Sequence, residues 1–338
     1  MPILSIAECE TLAQQALAAS GAAGGPSAST AKALVAAETD GQSGHGLGRV
    51  PSYAAQVRAG KVDGHAQPSL RRLRAGALRI DAAGGFAYPA LDLAVHALPA
   101  MARECGIAVA AIFRSHHIGA AGYTAERLAH EGCVAFVCSN TPRAMPFAGG
   151  IKPMMGTNPI SFAAPLPNRA PLVIDMALSQ VARSRIVAAQ KAGEAIPQGW
   201  AFDASGEPTT DPGAALAGAL APAGGVKGAA LALIVEVLCG AVANGHFGWE
   251  ASSFLDDRGP SPGVGQLLLV MDAEALSGGN FSGRMGQLLA ALTSERGVRV
   301  PGDRRLATRA RAATAGIEIN AALHDTLVDL AAQSGAAQ

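Results

Sequence analysis

A histidine and an arginine four residues apart, set among glycines, are the first groups in the chain that could do chemistry. They are His45 and Arg49, in the stretch "SGHGLGR" at 43–49. Glycine at every second position suits neither helix nor strand, because each gives up about 0.5–1 kcal/mol of backbone entropy relative to alanine. Flexibility is spent here on presenting an imidazole, which titrates near neutral pH, beside a guanidinium fork that matches a carboxylate.

Four more places hold polar groups. "RSHHIGAAGY" (114–123) sets His116 and His117 between a strand end and a helix start. That junction offers backbone N–H groups and the positive end of a helix dipole to an anion. Adjacent side chains in an extended segment face opposite ways, so at most one of the two lines a site. "MMGTNPISF" (154–162) holds Thr157 and Asn158 in a turn before a strand, where turn chemistry alone would account for both. "APAGGVKGAALAL" (221–233) has a Gly-Gly turn with Lys227 at a helix start. A cation there opposes the dipole and calls for an anionic partner. Asp175 ends the apolar run in "LVIDMALS" (172–179) and is placed either for a site or for capping the following helix. A lone loop histidine is commonly a surface group. Five such places with no metal-ligand spacing and no nucleophile motif point instead to acid–base work on a small anion, with no metal.

The elements that must position these groups can be read from periodicity. Helical spacing covers 4–20, with Ser5 and Glu8 as a capping box, then 27–40 and 50–60, where Pro51 suits the first turn. His45 and Arg49 fall on the connection between the second and third helices. Short apolar or β-branched runs then follow at 77–85, 106–115, 133–140, 158–165, 171–177 and 265–273. Helices are expected at 90–105, 122–132, 179–193 and 228–245, and the last 60 residues return to helix. The helical ends enclose an α/β middle: residues 1–75 plus 275–338 as a mainly helical domain, and 76–274 as an α/β domain.

Composition narrows the class. The chain has 338 residues, 49% hydrophobic and 15% charged, with 26 basic and 26 acidic side chains. Zero net charge argues against nucleic acid as a partner. The basic groupings "RRLR" (71–74) and "RRLATRAR" (304–311) read as solvated faces. Five cysteines without a CxxC pair read as reduced thiols of a cytoplasmic protein. No signal peptide is apparent at the N-terminus. The most apolar stretch, 228–245, carries Glu236 at its middle and reads as a buried helix, not a membrane span. No G-x-G-x-x-G follows an early strand, and no phosphate loop, HExxH or G-x-S-x-G is present. A nucleotide would need another scaffold.

Seven stretches in order carry a resemblance: "GHGLGRVPSYAAQVRAGKVDG", "SHHIGAAGYTAERLAHEG", "MMGTNPISFAAP", "LVIDMALSQVARSRI", "IPQGWAFDASGEPTTDPGAAL", "GGVKGAALALIVEVL" and "VRVPGDRR". Over about residues 5–310 the chain resembles the malate/L-lactate dehydrogenase family of the second type, unrelated to the Rossmann-type enzymes. The family includes malate, sulfolactate and ureidoglycolate dehydrogenases, diketogulonate reductase and reductases of cyclic imines. The resemblance implies a mixed-sheet, non-Rossmann NAD(P)-binding domain inserted in the helical domain. It also implies NADP or NAD as cofactor, a small carboxylate substrate, and a homodimer with the active site near the interface.

It further implies roles. His45 is the proton donor and acceptor at the substrate's oxygen or nitrogen, and Arg49 holds its carboxylate. The family has Ser-His-Gly here, whereas this chain places Gly44 before His45 and Ser43 one residue further back. His117 matches a histidine near the nicotinamide that is catalytic in some members. Asp175 and Met176 match a segment beside cofactor and catalytic histidine. Asn140, Thr141, Thr157, Lys227 and Gly228 fall at dinucleotide contacts, with Thr157 also set toward the substrate. The expected activity is interconversion of a 2-oxo acid and its 2-hydroxy acid. The segment "GHFGWEASSFLDDRG" (245–259) is similar to sulfolactate-type members. Reduction of Δ1-piperideine- or Δ1-pyrroline-2-carboxylate is the alternative. A silent binding protein on the same fold would not need His45, Arg49 and Asp175 together.

Overall fold

Ser5 and Glu8 form the capping box: the Ser5 hydroxyl accepts from the Glu8 amide and the Glu8 carboxylate accepts from the Ser5 amide. They open α1 (Ile6–Ala19), just after a short strand, β1 (Ile3–Leu4). The computed structural model describes residues 1–333. Next come α2 (Gly24–Thr39) and α3 (Val50–Arg58), with Pro51 in the first turn of α3. The strands β2 (Ser69–Arg74) and β3 (Ala77–Asp81) follow, then α4 (Ala87–Cys105) and β4 (Ile107–Ser115). After these run α5 (Ala121–His130), β5 (Val134–Ser139), β6 (Ile160–Leu166) and β7 (Arg169–Met176).

A smaller region contains α6 (Arg183–Ala192), β8 (Ala201–Phe202), β9 (Pro208–Thr209), α7 (Pro212–Ala217) and β10 (Ala219–Leu220). Its three short strands pair as a separate sheet. Then α8 (Val226–Glu236) runs into a π-helical segment, Val237–Val242, and β11 (Val264–Met271) returns to the main sheet. The chain closes with α9 (Ala273–Leu276), α10 (Phe281–Thr293), α11 (Asp303–Ala315), β12 (Ile317–Glu318) and α12 (Ala321–Ala332). β12 pairs with β1, which joins the two ends of the chain.

The main sheet has seven strands in the order β2-β3-β4-β11-β5-β6-β7. β3 and β4 are parallel, and every other neighbouring pair is antiparallel. A dinucleotide fold of the Rossmann kind would be mostly parallel, so the mixed non-Rossmann sheet is what the chain builds. The register has a functional consequence. β11 lies antiparallel between β4 and β5, pairing Gln266 with both Ile112 and Ser139, so β4 and β5 end at the same edge. Ile160 opens β6 opposite Cys138 and faces Met176 at the end of β7. The segments after β4, after β5, before β6 and after β7 therefore emerge together.

One hydrophobic core joins buried residues of the front helices, the sheet, α4, α5 and the C-terminal helices, Leu17, Leu34, Ile80, Leu98, Ile112 and Leu327 among them. A second lies under α8 and the small sheet, with Ile186, Leu220, Ala232 and Cys239. Among the described residues no helix is long and apolar enough to cross a membrane.

Two expectations need correcting, and several strands carry no mark in the sequence. "RRLR", a solvated face as expected, belongs to β2, which pairs with β3. All six residues of β2 are exposed, so no alternation marks it as a strand, and the sheet begins upstream of residue 76. The three short strands β8–β10 were not foreseen, two residues being too few for a periodic signal. "RRLATRAR" is not simply a solvated face: Arg305 and Arg309 both pair with Asp40 and Glu126, whose side chains are only 5% exposed. Two buried carboxylates from α2 and α5 need that charge. Finally, 228–245 is helical but not buried all round. Ala229, Ala232, Val235, Glu236 and Cys239 face inward, while Val226, Leu233, Ile234, Val237 and Val242 are exposed.

Candidate active site

His45 closes a 3-10 turn after α2, and Arg49 closes a second one that leads into α3. Their loop is pinned by Glu38 of α2, whose carboxylate accepts from the Leu47 amide at 2.8 Å. Of the three glycines around His45, only Gly46 is required by contact: a Cβ there would lie 2.0 Å from Glu38 Oε2. Gly44 faces open space, and a Cβ on Gly48 would make only an ordinary contact, 3.9 Å from the Ser43 carbonyl. The Gly44 carbonyl accepts from Arg49 Nε at 2.7 Å, which orients the guanidinium. Among the described residues, Arg49 has no carboxylate partner. Ser43 is exposed, and its hydroxyl has no partner among the described residues.

His117, after β4, stacks on His45 with ring centroids 5.3 Å apart and planes 27° apart. Its Nδ1 lies 2.7 Å from the Tyr53 hydroxyl on α3. His45 Nδ1 is buried with no hydrogen-bond partner, so Nε2 is the nitrogen left to serve a ligand. The two adjacent histidines do diverge. His116 is fully buried among Tyr53, Phe86 and Phe254, with both ring nitrogens unpartnered. Phe254 also tilts over His117 at 4.9 Å. Its segment is held by the buried Lys61, which donates to the carbonyls of Ser253, Asp256 and Arg258.

These imidazoles are held neutral. Burial and then the Arg49 charge pull the His45 pKa down to about 4. Burial, then Lys61 and Arg49, pull His116 down to about 3. His117 moves the same way, through burial, Arg49 and the other two imidazoles. Burial pushes the Tyr53 hydroxyl up to about 12.

Asp175, half-buried at the end of β7, does not cap the helix that follows it. Its Oδ2 accepts from the Gly122 amide at 2.9 Å, in the first turn of α5. Gly122 allows that approach, since a Cβ there would meet Asp175 Oδ2 at 2.9 Å. Burial raises the Asp175 pKa despite that bond. Asp175 borders a cavity of about 340 Å³ together with Asp40, Gly41, Arg305 and Gln42, which lies three residues before His45.

Asn140 and Asn158 are committed elsewhere. Both donate to Glu236, at 3.1 and 2.9 Å, as do the amides of Gly156 and Gly248. Asn140 also donates to the His246 carbonyl and accepts from the Gly265 amide. Asn158 is left-handed, with φ +42°, and accepts from the Thr141 amide. The Thr157 amide in turn donates to Thr141 Oγ1 at 2.9 Å. Glu236 is therefore the hub that fixes the Thr141 and Thr157 segments. The sequence reading passed over that role, although a lone carboxylate inside an apolar helix was its visible sign. Gln42, Tyr53 and Gly122 carry no mark in the sequence either, each being an ordinary residue until tertiary contacts place it.

A backbone ladder leads away from this centre. The Leu178 amide donates to the Thr157 carbonyl and the Ala223 amide to the Leu178 carbonyl, at 2.8 and 2.9 Å. Met176, at its near end, is exposed. At its far end Gly224 and Gly225, with φ +66° and +64°, turn the chain into α8. Gly228 is needed for that turn, because a Cβ would lie 2.0 Å from the Ala223 carbonyl. Lys227 is exposed there and has no anionic partner among the described residues, contrary to expectation. A helix start with free N–H groups and an unpaired ammonium fits a phosphate.

A family model described as malate/L-lactate dehydrogenase matches residues 4–328. The (2R)-3-sulfolactate dehydrogenase (NADP(+)) of Chromohalobacter salexigens is 48% identical over 307 residues, covering 91% of this chain and 92% of that one. A Δ1-pyrroline-2-carboxylate/Δ1-piperideine-2-carboxylate reductase of Pseudomonas putida is 42% identical over 284 residues, 84% of this chain and 83% of that one. Among solved structures, Δ1-piperideine-2-carboxylate reductase from Pseudomonas syringae pv. tomato superposes with a TM-score of 0.93 at 35% identity, covering 98% of this chain and 100% of that one.

The buried imidazoles make stability depend on pH. Their folded pKa values lie below the usual 6.5, so below that pH the unfolded chain binds more protons than the folded one. Stability should be full above about pH 7 and fall as the pH drops from 6.5 toward 4. Thermal melts at pH 7.5 and 5 should show the loss, and His116→Phe should make it smaller. Equal pH dependence in the two proteins would contradict the assignment.

Proposed function

Since the chain belongs to the malate/L-lactate dehydrogenase family, we propose that it is an NAD(P)-dependent oxidoreductase of a small carboxylate, interconverting a 2-oxo acid and its 2-hydroxy acid. The observation that carries this is Arg49, a guanidinium without a carboxylate partner among the described residues, placed beside His45. Arg49 offers a carboxylate paired hydrogen bonds, which sets the neighbouring carbonyl against the imidazole. The NADP named for the 48% identical sulfolactate dehydrogenase supports NADP as the coenzyme and a sulfonated oxo acid as a substrate.

Lys227 and the N–H groups at the start of α8 would hold the phosphates, and Met176, Thr157 and Thr141 would line the path to His45. The nicotinamide bound there would supply the hydride. The chain supplies the proton. Free His45 is neutral, the form that accepts a proton from a hydroxy acid. A carboxylate on Arg49 removes the second of the two causes that depress the His45 pKa. Substrate binding thereby raises the affinity of His45 for the proton that an oxo acid needs. Asp175 takes no proton in this scheme.

Reduction of a cyclic imino acid is a second reading, supported by the reductases at 42% and 35% identity. A carboxylate next to C=N would use Arg49 and His45 in the same way. We also place a second copy of the chain on the open face of α8, where Val226, Leu233, Ile234 and Val237 are exposed, and the protein in the cytoplasm, since its five cysteines are unpaired.

His45→Ala should lower the rate about 10²-fold or more, the usual scale for an acid–base group. NADPH oxidation with sulfopyruvate, oxaloacetate, pyruvate and the two cyclic imines reads both the effect and the substrate. An unchanged rate in the variant would remove His45 from the chemistry, and turnover of the imines alone would select the second reading. Ile234→Glu should convert a dimer into a monomer on analytical ultracentrifugation. A wild-type protein that sediments as a monomer would refute the dimer.

A further inference from the structure

We infer that Lys61 is a positioning residue of the active site, whose buried ammonium holds the 253–258 loop so that Phe254 packs on His117. The loop thereby fixes the place of the imidazole that stacks on His45. This rests on the reading of His45 and Arg49 given above.

Lys61 lies just past the end of α3, and its amide donates to the Gln56 carbonyl at 2.9 Å. Its side chain is 0% exposed. An ammonium out of water is costly unless all of its N–H groups are taken up. Here the three protons meet three carbonyls, those of Ser253 at 2.6 Å, Asp256 at 2.9 Å and Arg258 at 2.8 Å. Asp256 Oδ1, at 3.6 Å, adds the counter-charge. Three carbonyl oxygens aimed at one point suit a cation, as they do around a bound metal ion. An apolar side chain there would leave all three without this donor. Residues 251–258 form neither helix nor strand, so no regular ladder fixes them.

Gln56, itself buried, completes the hold: its Nε2 donates to the carbonyls of Phe254 and Asp256 at 3.0 and 2.9 Å. The loop is tied in this way to α3, and α3 serves the site elsewhere. Arg49 stands at its N-terminus, and Tyr53, one turn on, places its hydroxyl 2.7 Å from His117 Nδ1. Arg49, Tyr53 and Gln56 follow one another at helical spacing and share one face. One helix is thus the template for the guanidinium, the hydroxyl and the loop. Phe254 is 8% exposed, with its ring 4.9 Å from that of His117 and 5.4 Å from that of His116, whereas Leu255 beside it is 57% exposed. The loop turns one ring inward onto the imidazoles, and the ammonium beneath it keeps that ring there.

Lys61→Met keeps the length of the side chain and removes the ammonium. In steady-state assays it should lower kcat about 10²-fold, the scale of a misplacement of about 1 Å beside reacting groups, with KM for NADPH within about threefold. Phe254→Leu should lower kcat as well. The double variant should lose no more than the worse of the two single ones, because both changes break the same chain of contacts. Losses that multiply in the double variant would overturn the proposal. Wild-type kcat in Phe254→Leu would overturn it too, which keeps the test decisive if Lys61→Met does not fold. NMR of histidine-labelled protein reads the same contact without turnover, with His117 assigned from its loss in His117→Phe. The His117 ring signal should move to nearly the same position in Lys61→Met and in Phe254→Leu, and a signal unmoved in Lys61→Met would contradict the assignment. A protein inactive on every carboxylate would defeat the proposed reaction and leave the NMR result standing.

Discussion

An arginine charge set against a group of buried imidazoles is the constraint from which the rest of the site follows. Arg49 is oriented by the Gly44 carbonyl, and its field, added to burial, keeps His45, His116 and His117 neutral. A second cation, Lys61, is buried close by and bound to three carbonyls and Asp256. Two positive charges next to three histidines would be costly if any histidine charged before substrate arrived. The carboxylates nearby are all occupied: Glu38 by the Leu47 amide, Asp175 by the Gly122 amide, Asp256 by Lys61. Among the described residues, no carboxylate pairs with Arg49.

Holding that charge in place is a task for the whole fold. The sheet register brings the segments after β4, β5 and β7 to one edge, and the end of α2 delivers the loop with His45 and Arg49 to it. The Asp40–Arg309–Glu126–Arg305 network ties that end of α2 to α5 and α11. Two residues on from Asp40, Gln42 borders the same cavity as Asp175, and His45 follows. Glu236 performs the same task on the other side, gathering Asn140, Gly156, Asn158 and Gly248 with its two oxygens. Buried carboxylates that accept several donors cost little once satisfied and are specific about geometry.

Much of this was legible in the sequence, for physical reasons. The front helices announce themselves by caps and spacing, and the central strands by apolar runs between glycines. The loop with His45 and Arg49 shows through its glycines, and the ordered motifs show the family. What stayed hidden depends on contacts far apart in the chain. β2 is an edge strand with both faces wet, so nothing alternates. Arg305 and Arg309 look like solvated charges until Asp40 and Glu126 are seen beside them, more than 170 residues away, with 179 separating Arg305 from Glu126. Asn140 looks like a ligand contact and is spent on Glu236. Tyr53 sits on a short helix where only its depth, and the imidazole it reaches, distinguish it.

In the proposed reaction the substrate carboxylate, by neutralising Arg49, sets the protonation state of His45. Calorimetric titration with oxamate, a carboxylate that is not reduced, in buffers of different ionisation enthalpy measures proton uptake on binding. At pH 6 the account predicts uptake of a fraction of a proton, absent in His45→Ala. Binding with no proton uptake, or the same uptake in His45→Ala, would contradict it.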